Sequence, residues 1–151
     1  MTVEIRTISR ENIGEVVGIE VSAAQSSYVA PVMASLAEAY VQPDVAWPRA
    51  VYDMNVPVGF VMGAFEPDAE QDFFRCGIWR LNIAADRQGK GYGRFAVDAV
   101  LDEAVRRGQT RATVLWVPGE NGPENFWKRL GFSPTGEDFY GQVVAERFLE
   151  T

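Results

Sequence analysis

Ile83-Ala84-Ala85-Asp86-Arg87-Gln88-Gly89-Lys90-Gly91-Tyr92-Gly93-Arg94 joins an apolar run to the most strongly amphipathic stretch of the chain. Glycine at 89, 91 and 93 lets backbone amides turn inward with no Cβ in the way, and a helix starting there adds the positive end of its dipole. Such a turn is a cradle for an anion. Arg87, Lys90 and Arg94 place local positive charge in a chain whose net charge is −7, which points to a pyrophosphate. On the bare turn, the alternative that the glycines merely end a strand and tighten its packing carries equal weight. A Walker A loop needs four residues between its first glycine and Gly-Lys-Ser/Thr, and a Rossmann turn follows a first strand; this one follows a fourth.

Working outward, Ala96, Val97, Val100, Leu101, Ala104 and Val105 share one face of a helix, with Asp102 and Arg106 paired four apart outside and Gly108 as its stop. Thr110 to Val117 reads as a strand, Pro118 to Pro123 as a loop, and Glu124 to Leu130 as a short helix ended by Gly131. Phe132 to Glu137 and Gln142 to Leu149 close the chain as strands. Upstream, Ala50–Tyr52, Val58–Phe65 and Phe73–Ile83 are β-like, and Asp53 to Pro57 is a hairpin connection. Val3 to Ile8 forms a first strand. Ser9 caps a helix carrying Ile13, Val16 and Val17, and a second helix follows Pro31 with Val32, Leu36, Ala39 and Tyr40 at helical spacing and Glu38 on a flank. The order predicts a single α/β domain over residues 1–151, a mixed, mostly antiparallel sheet flanked by helices with one parallel junction.

The chain has 151 residues, 47% apolar and 23% charged, which fits one globular domain. Fourteen basic against 21 acidic residues argue against nucleic acid, whose phosphates are held by clustered Lys and Arg; a cationic partner fits better, with acidity that serves solubility alone as the preferred reading. With one cysteine, Cys76, and no histidine, a zinc site or a Ser-His-Asp triad lacks its usual parts, so no metal is expected. Met-Thr-Val-Glu-Ile-Arg is not a signal peptide, and no run reaches the ~18 apolar residues of a membrane span. The expectation is a cytoplasmic protein with no membrane partner.

Arg-Gln-Gly-Lys-Gly-Tyr-Gly after a Leu-Asn-Ile strand resembles the acetyl-coenzyme A signature of the GNAT superfamily of N-acetyltransferases. Trp79–Ile83 and the segment Pro118 to Phe132 fall where that superfamily has its fourth strand and coenzyme-flanking helix. Ser35–Tyr40, Val58–Met62 and Pro134–Glu137 resemble its bacterial spermidine and diamine acetyltransferase branch. The resemblance implies acetyl-coenzyme A as co-substrate, held by Ile83, Ala84, Arg87, Gln88, Gly89, Lys90, Gly91, Tyr92, Gly93, Arg94, Asn121, Phe126, Trp127 and Lys128. It also implies a fourth strand splayed from the fifth, with the pantetheine arm between them and a backbone amide within Asn82 to Ala84 polarising the thioester carbonyl.

For the acceptor side the resemblance leaves more open. The amine, with a lysine-like pKa near ~10.4, must lose a proton. Without histidine, the proton acceptors are Glu20, Glu38, Asp72 and Tyr140, with Glu38 the acceptor-site choice; a solvated surface role is the competing reading for each. Tyr28, Tyr40, Trp47 and Trp79 are aromatic candidates for a cleft wall and equally for plain core. Trp127 stands where the superfamily commonly has a tyrosine that protonates the leaving thiolate, and an indole N–H is no acid. Hydrogen bonding alone, protonation by Tyr140, or lost catalysis are the alternatives. Asn82 and Ala84-Ala85 also depart from the diamine branch. The implied function is N-acetylation of a small amine, whether polyamine, amino acid or amine-bearing metabolite or antibiotic, with a homodimer left open. The competing function is a non-catalytic acetyl-coenzyme A or small-molecule binding protein, a sensor or a sequestering resistance protein.

Overall fold

Val56–Phe65 is the longest strand, and its apolar sequence follows from burial on both faces. In the computed structural model, which describes residues 2–150, it is β3 of a seven-stranded sheet ordered β1-β2-β3-β4-β5-β7-β6. The strands are β1 (Val3–Arg6), β2 (Ala46–Asp53), β3, β4 (Cys76–Ile83), β5 (Arg111–Trp116), β6 (Ser133–Phe139) and β7 (Gln142–Phe148). The helices are α1 (Ile13–Val16), α2 (Val32–Val41), α3 (Tyr92–Arg106) and α4 (Glu124–Arg129). All neighbouring strands are antiparallel except β4 and β5, the expected parallel junction.

Side-chain alternation splits the core in two. Val61, Val97, Val100, Ala104, Val114 and Trp116 pack with α3 and α4 on one face. Val16, Val32, Tyr52, Phe60 and Met62 pack with α1 and α2 on the other. Each fully buried valine or leucine on α3 contributes about 1.5–3 kcal/mol, so a charge at Val100 would undo the helix's docking. Met54 and Asn55, both at positive φ, make the two-residue turn between β2 and β3. Gly108, also at positive φ, ends α3 as expected.

Several local expectations change. Val32 and Ser35 are the buried residues of α2, while Tyr40 is 85% exposed. Eight residues beyond Val32, at 100° per residue, Tyr40 points about 80° away from the buried stripe. Ser9 makes no side-chain cap; Asn12 precedes α1, and its Oδ1 accepts the Ser9 N–H instead. Arg106 pairs with Glu103, which also takes Arg107, and not with Asp102. Phe73 lies in a single 3-10 turn, Asp72–Phe74, ahead of β4. β2 runs through Pro48 because β1 pairs with it only from Ala50 to Asp53, so the missing N–H costs no rung on that side.

The junction of β4 and β5 positions the site. Only Gly77 opposite Thr113 and Ile78 opposite Val114 are paired, after which the strands part. Trp79 is an extra residue there: Ile78 opposes Gly63 and Arg80 opposes Met62, a bulge that bends β4 away. Gly77 is obligatory, since a Cβ would lie 2.2 Å from the Thr113 carbonyl oxygen. The Thr113 hydroxyl ties the base of the fork by donating to the Phe73 carbonyl at 2.5 Å.

Candidate active site

Gly89 and Gly91 have φ of 74° and 85°, with open space where a Cβ would stand, so their left-handed backbone is what requires glycine. Gly91 precedes α3 and no side chain caps that helix. The N–H groups of Tyr92, Gly93 and Arg94 therefore have no acceptor within the helix, and the dipole of a 15-residue helix adds to them. Lys90 and Arg94 are exposed on either side and make no ion pair with a described residue. Arg87 stands 3.9 Å from Asp86.

Other residues of this turn build it. Gln88 points its side-chain amide inward, donating to the Ile83 carbonyl at 2.7 Å and to Gln25 at 3.1 Å. Tyr92 is buried and its hydroxyl donates to the Asp53 carboxylate, which holds the Asp53 carboxyl below and the Tyr92 hydroxyl above their ordinary ranges. Gly93 is required by the Phe126 ring, two atoms of which would lie 2.9 and 3.0 Å from a Cβ. Phe126 thereby seats α4 against the start of α3.

Along the fork, hydrogen bonds of antiparallel strands alternate in direction. The Ala84 N–H donates to Val58 at 2.9 Å, so the Asn82 N–H also faces β3, and the Leu81 and Ile83 N–H groups face β5. Of the three positions Asn82 to Ala84, Ile83 thus points its amide into the fork. The Asn82 side chain is buried, donates from Nδ2 to the Ala30 carbonyl at 3.0 Å, and leaves Oδ1 without a partner. Trp127 is 6% exposed and packs edge-to-face between Phe126 at 5.0 Å and Phe132 at 5.5 Å. Lys128 pairs with Glu124 at 3.1 Å. Asn121 sits exposed at φ 59° in the loop after β5. Tyr28 braces that loop: its hydroxyl donates to the Glu120 carbonyl at 2.7 Å, and its ring fills the space beside Gly119 and Gly122.

On the side of the sheet facing α2, a cleft of about 310 Å³ spans the base of the fork, between Ile78 to Arg80 of β4 and Thr113 and Leu115 of β5. Phe73, Phe74, Trp79 and Phe139 supply its aromatic wall, and Glu66 is its one carboxylate. Of the aromatic residues expected there, only Trp79 takes part. Tyr28 serves the loop, Tyr40 faces solvent, and Trp47 is core against Phe65. Glu38 does not line the cleft and holds Arg80 at 3.1 Å. Asp72 lies 3.6 Å from Arg111, and Glu20 is exposed with its backbone carbonyl accepting the Ala85 N–H. Tyr140 is 92% exposed in the turn between β6 and β7, its ring 4.7 Å from Phe139. Glu66 and the Phe73, Phe74 and Phe139 rings were not marked by sequence spacing; the adjacent Phe73-Phe74 pair before β4 was the one available signal. Burial pushes the Cys76 thiol up to about 11, so it is neutral at pH 7 and offers no nucleophile. Among the described residues, no three His, Cys, Asp or Glu side chains converge on a metal position.

Residues 10–132 match the family described as acetyltransferase (GNAT). The chain belongs to this family. Acetyl-coenzyme A is accordingly the co-substrate of this GNAT acetyltransferase. The spermine/spermidine N(1)-acetyltransferase of Bacillus subtilis (strain 168) is 26% identical, with 99% of this chain and 100% of that protein aligned. The L-2,4-diaminobutyric acid acetyltransferase of Wolinella succinogenes is 27% identical over 61% of this chain and 50% of its own length. The fold is shared with the PaiA N-acetyltransferase of Thermoplasma acidophilum, solved in complex with coenzyme A, at a TM-score of 0.73, 13% identity and coverage of 98% and 99%. The ribosomal-protein-S18-alanine N-acetyltransferase of Escherichia coli likewise gives 0.73 at 14% identity, with 99% and 95% covered.

Proposed function

We propose that this GNAT acetyltransferase transfers the acetyl group to the amine of a small molecule, with the fork between β4 and β5 as the place of transfer. The observation that carries this is the position of two unpaired strand amides, Leu81 and Ile83, between the anion cradle at one end and the aromatic cleft at the other. Gly89, Gly91 and the first amides of α3 hold the pyrophosphate, with Lys90, Arg94 and Arg87 supplying countercharge. Leu81 and Ile83 supply the strand-like donors for the extended arm, the Ile83 N–H on the cradle side engaging the arm and the Leu81 N–H, beside the cleft, polarising the carbonyl that is attacked. Bound acetyl-coenzyme A supplies the activated acetyl thioester.

The amine arrives protonated, and Glu66, the cleft's one carboxylate, relays its proton to solvent. Trp127, packed between two phenylalanines, walls off the coenzyme side and contributes at most an N–H hydrogen bond. A thiolate with a pKa of ~8.5 departs without a strong acid, so the replacement of tyrosine by tryptophan leaves the chemistry feasible. The test is release of free coenzyme A thiol from acetyl-coenzyme A in the presence of primary amines, together with thermal unfolding. Amine-dependent thiol release is the expected result. A rise in melting temperature with acetyl-coenzyme A but no thiol release with any amine would establish the binding-protein alternative instead.

A further inference from the structure

We infer that the acceptor is an arylalkyl monoamine, one aromatic ring joined to a primary amine by a short chain, and not a polyamine; this rests on the acetyl-transfer reading above. Three observations lead there. The first is the wall of the cleft. Phe73, Phe74 and Phe139 stand with ring centroids 4.8, 4.9 and 5.7 Å apart in tilted and edge contacts, and Phe74 remains 37% exposed. Three mutually ordered rings with an open face form a ready partner for a fourth ring, at the offset and edge geometries that aromatic pairs prefer.

The second is the charge of the cleft. Glu66 is its only carboxylate and Arg80 its only cation, and Arg80 is itself held by Glu38 from α2. A polyamine keeps a positive charge on every nitrogen at neutral pH, each with a pKa near ~10. After one nitrogen gave up its proton to react, the others would lie beside a guanidinium with one carboxylate to share. A monoamine leaves no charge behind once deprotonated. Glu66 then serves to draw the ammonium in and take up its proton, and nothing else in the cleft is left unbalanced.

The third is size. At about 310 Å³ the cleft is at the small end of the ~300–1,000 Å³ typical of small-molecule pockets. It holds a ring and a short chain, whose amine then lies at Ile78 to Arg80, where β4 and β5 part. In the transfer itself, the neutral amine nitrogen forms the new C–N bond to the acetyl carbon while the C–S bond breaks. The bonding pair leaves on sulfur, and the second proton shed by nitrogen passes to solvent as the amide forms. This assignment sets the chain apart from its Bacillus subtilis relative, whose name gives spermine and spermidine.

The experiment compares kcat/KM for phenethylamine and spermidine at saturating acetyl-coenzyme A, in the wild-type chain and in Phe74→Ala and Phe139→Leu. Phenethylamine is expected to exceed spermidine by at least ~10-fold, the scale on which apolar pockets discriminate. Both variants are expected to raise KM for phenethylamine while leaving the thermal shift by acetyl-coenzyme A unchanged, which also shows that they fold. Equal or greater turnover of spermidine would overturn the assignment and leave acetyl transfer standing. An unchanged KM in a folded Phe74→Ala would overturn it as well. Absence of thiol release with either amine would overturn this assignment, and absence with every primary amine tried would overturn the transfer reading as well.

Discussion

The proposed anion cradle and the proposed acceptor cleft flank one fork, yet they are made from different materials. The cradle is backbone: seven consecutive residues, Gln88 to Arg94, whose glycines fix the path and whose uncapped amides at the start of α3 are the donors it offers. The cleft is side chains brought from the ends of α2 and β3, the 3-10 turn before β4, the fork strands and the β6–β7 turn. A site of amides depends on its glycines for the path and on Gln88 and Tyr92 for support, with the donors themselves independent of side-chain identity. A site of rings can be respecified one ring at a time with the amides untouched, so one co-substrate can serve many acceptors.

The harshest way to break this contrast is at the base of the fork, which sets the path of β4 toward both sites. Gly77→Ala forces a methyl group against the Thr113 carbonyl and should cost about 3 kcal/mol or more, lowering the melting temperature by roughly 6–12 °C. A scan of unfolding checks it; a loss under ~1 kcal/mol would mean that β4 and β5 stand further apart than described. Gly91→Val strains a left-handed backbone by about 1–3 kcal/mol. It should raise the Kd for acetyl-coenzyme A by roughly 10- to 100-fold, with selectivity among amines unchanged. Calorimetric titration reads the first effect and competition between amines the second.

Trp127→Phe sharpens the comparison on the coenzyme side. Removing the indole N–H while keeping a ring should lower kcat by less than ~100-fold, the lower bound of general acid catalysis, and Trp127→Tyr should hold or raise it. A larger loss in a folded, coenzyme-binding Trp127→Phe would make the N–H essential. The smallest effect concerns the acceptor-side core. Burial and the hydrogen bond to Glu15 push the Tyr52 hydroxyl from 10.0 up to about 12. The unfolded chain therefore releases this proton first as pH rises, so the stability tied to Tyr52 is complete below pH ~10 and is lost toward pH ~12. Denaturant unfolding at pH 8 and at pH 11.5 should show a smaller alkaline loss in Tyr52→Phe than in the wild-type chain.

What sequence reading recovers follows the same division. The glycine turn, the α3 face and the order of strands are local patterns, and they stand in the structure close to where spacing placed them. The bulge at Trp79 and the two-rung junction have no local signature, because they arise where Gly63 and Thr113, distant in sequence, meet β4. Tyr40 and Glu38 drew attention by their types on a recognisable helix, but neither lines the cleft: a rotation of about 80° turns Tyr40 outward, and Arg80 engages Glu38. Phe139 joins Phe73 and Phe74 only through the β6–β7 hairpin, across a sequence separation no periodicity spans.

Two rungs are few for a joint at the middle of a seven-stranded sheet. Mechanically, β1 to β4 and β5 to β7 are two plates sharing a short seam at Gly77 and Ile78, and the angle between them is set by what is packed across their backs. Val114 and Trp116 on one plate and Val61 on the other belong to one core cluster, while α3 itself packs against β1, β3 and β4 of the first plate. With two rungs at the seam, the plates can shift against each other there with fewer hydrogen bonds lost than at any other joint of the sheet.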